Sequence, residues 1–215
     1  MQKEYTTIPL FAKTLYFVGI KNIDLNQITK TLEKEAFRSS GRRGSLKDVA
    51  NISEASVDKY ILKKKPFKAL KKIIEDEFTF FKNEILQYHK TQFKMTTSWI
   101  TKSKPGESSN YHAHTNCLYS GVVYFKVPEK SGSISFENFL PQGLHLVPTK
   151  YNLQNGKEYT FVPKPGMMIL FPSELHHKIL RNDSLETRLS VAFNFFPTGQ
   201  IGDHESDSHL NIKVL

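Results

Sequence analysis

From Thr91 onward the helical spacing of apolar residues disappears, and the chain breaks into short alternating runs separated by Gly and Pro. Nothing else in the sequence narrows the fold so far. The runs are Met95 to Thr101, which holds the only tryptophan, Trp99; Ser120 to Val127; Ser133 to Phe139; Glu158 to Val162; and Leu189 to Phe196. β-branched and aromatic residues alternate with polar ones in them, as in strands with one buried face. Pro165-Gly166 marks a turn, and the apolar run Met167 to Phe171 after it reads as a strand buried on both faces. Short strands punctuated in this way predict an antiparallel sandwich or jelly roll.

The first ninety residues read differently. Ile8 to Ile20 is rich in aromatic and β-branched residues and predicts one or two strands. Asp24 stands at an N-cap position, and Leu25, Ile28, Leu32 and Ala36 after it have helical spacing. Ser39 to Ser45, with Arg42 and Arg43 between glycines, is a loop by composition. Between Pro66 and Tyr88, Phe67, Leu70, Ile73, Ile74, Phe78, Phe81 and Ile85 recur at three- and four-residue steps, predicting a long helix with its apolar stripe laid on a sheet. Helices first and strands later make the chain α+β. We expect residues 1–215 to form a single domain, with 1–90 as an N-terminal strand and helical support region and 91–215 as a jelly-roll catalytic core.

Composition excludes several classes. The single cysteine, Cys117, forms no disulfide framework within the chain, and no run approaches a membrane span. With no signal peptide read at its start, the expectation is a soluble, cytoplasmic protein. The net charge of +9 is uneven: residues 1–90 hold 18 Lys/Arg against 11 Asp/Glu, the remainder 12 against 10. A basic N-terminal half suits a polyanion such as nucleic acid, but a solvated lysine-rich face is the reading we favour.

The chemistry concentrates in three short stretches: Asn110-Tyr111-His112-Ala113-His114, His176-His177, and Arg188-Leu189-Ser190. In an extended strand alternate side chains share a face, so His112 and His114 project together, as do Arg188 and Ser190. A third imidazole from His177, on the strand expected after Pro165-Gly166, gives a metal site with open positions, as an oxygen-activating iron needs. His176, its neighbour, would face the other way. His89, His145, His204 and His209 have no such context and read as ordinary surface or packing residues, and Cys117 as a buried structural thiol.

These stretches, with Ser120-Gly121-Val122-Val123-Tyr124-Phe125, Pro165-Gly166 before a strand ending Phe171-Pro172-Ser173, Asn194, and the closing Gly199-Gln200-Ile201-Gly202, occur in an order that resembles the 2-oxoglutarate- and Fe(II)-dependent oxygenases. The likeness is to the group of them found in many bacteria and phages, and it covers roughly residues 97 to 205. It implies a double-stranded β-helix (jelly-roll, cupin-like) core with the N-terminal helices packed outside. It implies an oxidoreductase, a dioxygenase and hydroxylase that couples 2-oxoglutarate decarboxylation to oxidation of a substrate. His112, His114 and His177 would hold Fe(II). Arg188 would pair with the C5 carboxylate of 2-oxoglutarate, with Ser190 and Tyr124 donating hydrogen bonds to it. This chain departs from the usual His-x-Asp or His-x-Glu by placing His114 at the carboxylate position, so His114 is either a third neutral ligand or a neighbour of the metal, with water or another residue such as Asn116 in its stead.

Two other readings stay open at this stage. One is a cupin-like three-histidine dioxygenase that uses no 2-oxoglutarate, with Arg188 on a substrate carboxylate. The other is a non-enzymatic jelly-roll module binding through its basic N-terminal face, its histidines structural or holding zinc. The expected partners are O2 and a small-molecule or peptidyl substrate, with no membrane, and nucleic acid is not favoured. The substrate and the oligomeric state have no readable code in the sequence, and neither do the loops near Gly41 to Ser45 and Pro141 to Tyr151.

Overall fold

Extended segments this short cannot each bury a face alone, so they gather into sheets, and the helices cover what the sheets leave apolar. The computed structural model describes residues 6, 8, 10–39, 52–138, 147–203, 205 and 207–214. In chain order these form β1 (Tyr16–Gly19), α1 (Leu25–Leu32), β2 (Phe37–Ser39), β3 (Glu54–Ser56), α2 (Lys68–Phe80), β4 (Gln92–Ser103), β5 (Tyr119–Lys126), β6 (Ile134–Glu137), β7 (Glu158–Phe161), β8 (Met167–Pro172), β9 (His177–Ile179), β10 (Arg188–Ile201) and β11 (Leu210–Ile212).

The main sheet runs β1-β8-β5-β10-β4-β3-β2, with β11 paired to the far end of β10, and the small sheet runs β7-β6-β9. Every named pair is antiparallel. Tyr124, Ile169 and Phe171 from the main sheet pack with Ile134 and Phe136 from the small one. The two sheets do not close into a barrel among the described residues; they form the expected double-stranded β-helix, with the helices outside it.

Strand alternation decides which face meets which neighbour. Leu189, Val191, Phe193 and Phe195 of β10 join Val123 and Phe125 of β5 in the core under the helices. Gly121 lies on that same side, where a Cβ would come within 2.4 Å of the Phe193 ring and 2.7 Å of Leu170; only a residue without a side chain leaves the ring its place. Leu70, Ile74 and Phe78 of α2 press onto this surface, and Phe78 stacks on Phe195 at 3.8 Å.

Several elements differ from the sequence reading. The long helix expected from Pro66 to Tyr88 is three pieces: a 3-10 turn Lys65–Phe67 containing the proline, then α2, then a π-helical turn Phe81–Ile85. In that wider turn Leu86 N bonds Phe81 O at 3.1 Å, with Phe81 buried against Tyr16 and Tyr119. α1 is capped by Asp24, whose carboxylate accepts from Gln27 N at 3.0 Å, but it ends at Leu32, short of Ala36. Among the described residues of Ile8 to Ile20 only β1 is strand, and Leu10 and Phe11 are exposed in a turn. β2, β3 and β11, three residues each, are too short to show a period and were not anticipated. The paired Arg42 and Arg43 lie outside the described residues, as do His145 and His204.

Part of the basic excess is locally balanced, with Lys71 on Glu75, Lys72 on Asp76 and Lys64 on Glu35. No described helix is long and apolar enough to cross a membrane.

Candidate metal centre

The three histidines come from two places that the backbone ties directly together. His112 N donates to His177 O at 3.0 Å and His177 N to His112 O at 2.9 Å, one antiparallel bridge with no strand on either side of His112. The strand expected around Asn110 to His114 is therefore only an extended segment, yet extended backbone is enough to keep His112 and His114 on one side. His177 likewise does not follow Pro165-Gly166 on the same strand: that strand is β8 of the main sheet, and His177 opens β9 of the small one. His114 is held through its own N–H, which donates to Ser173 O at 2.9 Å.

One ligand atom from each of His112, His114 and His177 lies within 4.8 Å of the others. The Nε2 atoms of His114 and His177 are 3.3 Å apart. Two cis ligands on one ion with metal–nitrogen bonds of about 2.1 Å would stand roughly 3 Å apart, so this separation suits a shared metal. Carbonyl oxygens only accept, so His112 Nδ1 donates to Asn110 O at 2.9 Å and His177 Nδ1 to Leu175 O at 2.8 Å. Each bond places the proton on Nδ1 and turns the Nε2 lone pair inward. Burial first, then the nearby His112, pushes His114 down to about 4 and His177 down to about 3. Both are neutral near pH 7, the state a metal requires.

Behind the histidines is a cavity of about 490 Å³, lined from both sheets by residues that include His112, His114, His177, Tyr124, Arg188 and Ser190. All six residues singled out in the sequence thus meet at one place. Arg188 is 1% exposed, and its Nε and Nη1 have no hydrogen-bond partner. Its Cζ lies 5.1 Å from the centre of the Tyr124 ring. The two groups feel each other's charge: burial lifts the Tyr124 phenol to about 12 while Arg188 pulls it back, and burial lowers Arg188 while Tyr124 opposes this. No well-formed hydrogen bond joins them, however, and the Tyr124 hydroxyl and Ser190 Oγ are also unpartnered. Ser190 sits directly opposite Tyr124 on the neighbouring strand. Of six buried side-chain polar atoms without partners among the described residues, four belong to these three residues. A buried guanidinium facing two idle hydroxyls suits an anionic, oxygen-rich ligand such as a carboxylate.

Other candidates fall outside the cluster. Asn116 is exposed at positive φ, Cys117 is half-buried, not buried, and His89 and His209 are exposed. His176 is half-buried beside His177. Trp99 carried no role in the sequence reading, yet it lines the cavity with its ring 5.6 Å from that of His114. Its register opposite Ala192 puts it on the cavity side of β10, a pairing that no local sequence signal carries.

The fold is a double-stranded β-helix, and its three histidines form a group that could hold a metal ion. Residues 97–194 match the family model described as "Putative 2OG-Fe(II) oxygenase", a family whose cofactors are Fe(II) and 2-oxoglutarate. Solved structures that it resembles include a prolyl-4-hydroxylase from Pseudomonas putida (TM-score 0.57, 14% identity, 86% of this chain and 94% of that one). Others are the non-heme α-ketoglutarate-dependent epimerase SnoN of nogalamycin biosynthesis (0.64, 11%, 91% and 83%) and HygX from Streptomyces hygroscopicus, solved with nickel and 2-oxoglutarate (0.55, 10%, 94% and 93%). At these identities the likeness speaks for the fold alone. No curated protein matches the chain.

Proposed function

We propose that this protein is an Fe(II)- and 2-oxoglutarate-dependent hydroxylase in which His112, His114 and His177 bind the iron and Arg188, Ser190 and Tyr124 bind the C5 carboxylate of 2-oxoglutarate. The observation that carries this reading is the buried Arg188, with two unpartnered nitrogens aimed among two unpartnered hydroxyls, behind three converging imidazoles. Bound Fe(II) and 2-oxoglutarate together supply the oxidation: O2 is consumed, 2-oxoglutarate is split to succinate and CO2, and a substrate C–H becomes C–OH.

The chain's own residues do the rest. His112 and His177, locked by Asn110 O and Leu175 O, present fixed lone pairs, and His114 adds a third neutral donor where a carboxylate is usual. Three neutral ligands leave the full double positive charge of the ion to be balanced by what binds it, which favours the anionic cosubstrate. Arg188 fixes the far carboxylate and so the direction in which the keto acid reaches the metal.

On the substrate side the wall carries Trp99 and Ile179, and Glu54 is taken up by Lys104 at 2.6 Å. The substrate of this reading is a small molecule or peptide. Structures with this fold include a hydroxylase, an epimerase and a carbocyclase, so the fold itself does not choose the reaction. We further propose that residues 1–90 and 91–215 work as one domain, since β1 pairs with β8 and α2 supports the strands bearing the site.

Anaerobic titration tests the proposal. Fe(II) and 2-oxoglutarate together should give a visible charge-transfer band that neither gives alone, and O2 should then release succinate. A three-histidine centre that needs no 2-oxoglutarate would bind Fe(II) without that band, and a binding module would do neither; either result overturns the reading.

A further inference from the structure

The support beneath the three histidines is unequal. His112 and His177 hold each other through two reciprocal backbone bonds, and each ring is also locked by a carbonyl. His114, the residue at the carboxylate position, has a single backbone bond, to the carbonyl of Ser173.

Ser173 in turn ends a buried polar row that crosses the cavity face of the main sheet. Thr97 of β4, Asn194 of β10 and Ser120 of β5 lie in register, side by side, and Ser173 follows the end of β8. Asn194 Nδ2 donates to Thr97 Oγ1 at 3.0 Å, and Ser120 Oγ donates to Asn194 Oδ1 at 2.8 Å. A hydroxyl has one proton, so the 2.9 Å contact between Ser120 and Ser173 must be Ser173 Oγ donating to Ser120. Ser120 and Ser173 are each 1% exposed and Asn194 9%. Ser173, Ser120 and Asn194 form a satisfied buried chain, and breaking the Ser173–Ser120 or Ser120–Asn194 link strands a buried polar atom. The β-bulge between Asn194 and Phe195 falls at this row.

We propose that Ser120, Ser173 and Asn194 are positioning residues for His114: the row fixes Ser173, and the Ser173 carbonyl fixes the height at which the third imidazole meets the metal. The inference rests on the metal centre proposed above. It explains why a residue without strand or carbonyl lock on its ring can still serve as a ligand.

Co(II) is the probe, because its visible spectrum reports the number and geometry of ligands without turnover. The apo melting temperature is read first, to establish that each variant folds. Ser120→Ala is expected to weaken Co(II) binding about 10-fold and to shift the spectrum, as outer contacts that orient ligands commonly do. Ser120→Thr, which keeps the hydroxyl, should restore both. In a His114→Ala background Ser120→Ala should change Co(II) affinity less than about 2-fold, because the residue it positions is gone. Ser173→Ala provides a second variant with the same expectations. The inference is overturned if Ser120→Ala and Ser173→Ala bind Co(II) like the parent, or if their loss is as large without His114 as with it. Failure of the parent protein to take up Co(II) at all would instead remove the metal centre, and the positioning row with it.

Discussion

The two faces of the main sheet are built from alternate residues of the same strands and behave as opposites. On the helix side of β10, Leu189, Val191, Phe193 and Phe195 are packed dry against α2 and Gly121. On the other side, Arg188, Ser190 and Ala192 line the cavity and Asn194 lines a second pocket with Thr97, and Arg188 and Ser190 keep polar atoms with no partner. One face is apolar and closed; on the other, side-chain atoms of Arg188 and Ser190 have no partner within the chain. We propose that stability is concentrated on the first and binding on the second, at a spacing of one residue.

The sharpest way to break this contrast is Phe193→Ala. It should cost about 3–5 kcal/mol of stability, the usual range for truncating a buried aromatic, while the folded fraction binds metal as before. Denaturant unfolding measured alongside Co(II) titration checks it; a comparable loss of metal affinity would show that the two faces are not separable.

Arg188→Met is the counterpart on the cavity face. It should weaken 2-oxoglutarate binding by about 2–5 kcal/mol, as removing one partner of a desolvated charge pair does, yet leave the ligand-free protein equally or more stable. Calorimetric titration and apo melting read the two effects separately. Unchanged affinity would mean that Arg188 is not the anchor.

The smallest effect is the pH response of the metal-free protein. The unfolded chain protonates its histidines near 6.5, whereas His177 and His114 in the fold resist protonation down to about 3 and 4. Between those values the unfolded state binds more protons, so the stability these residues allow is present above 6.5 and is lost as pH falls toward 4 and 3. Apo melting temperatures from pH 7 to 4 should fall, and fall less steeply in His177→Phe. An equal slope in that variant would place the titration elsewhere.

Much of this was legible beforehand because alternation and spacing are local. The strands from Met95 to Phe196, the Asp24 cap and the apolar stripe of α2 each follow from side-chain size at fixed steps along the backbone. The six site residues stood out because their types and order are rare together, though nothing in the sequence told whether His112 lay in a strand or a bridge. The π turn at Phe81, the three-residue strands and the place of Trp99 were not readable, since each depends on partners far along the chain.

Alone, then, the sequence determined most of the strand pattern, the α+β class and the candidate residues for a metal and an anion. Only the tertiary structure decided that His177 enters from the small sheet, that side-chain atoms of Arg188, Tyr124 and Ser190 are left without partners, and that a polar row from Thr97 ends at Ser173, whose carbonyl holds His114. Burial and hydrogen bonding between distant segments exist only once those segments meet, and no local pattern of side chains encodes which donor will be left waiting for a ligand.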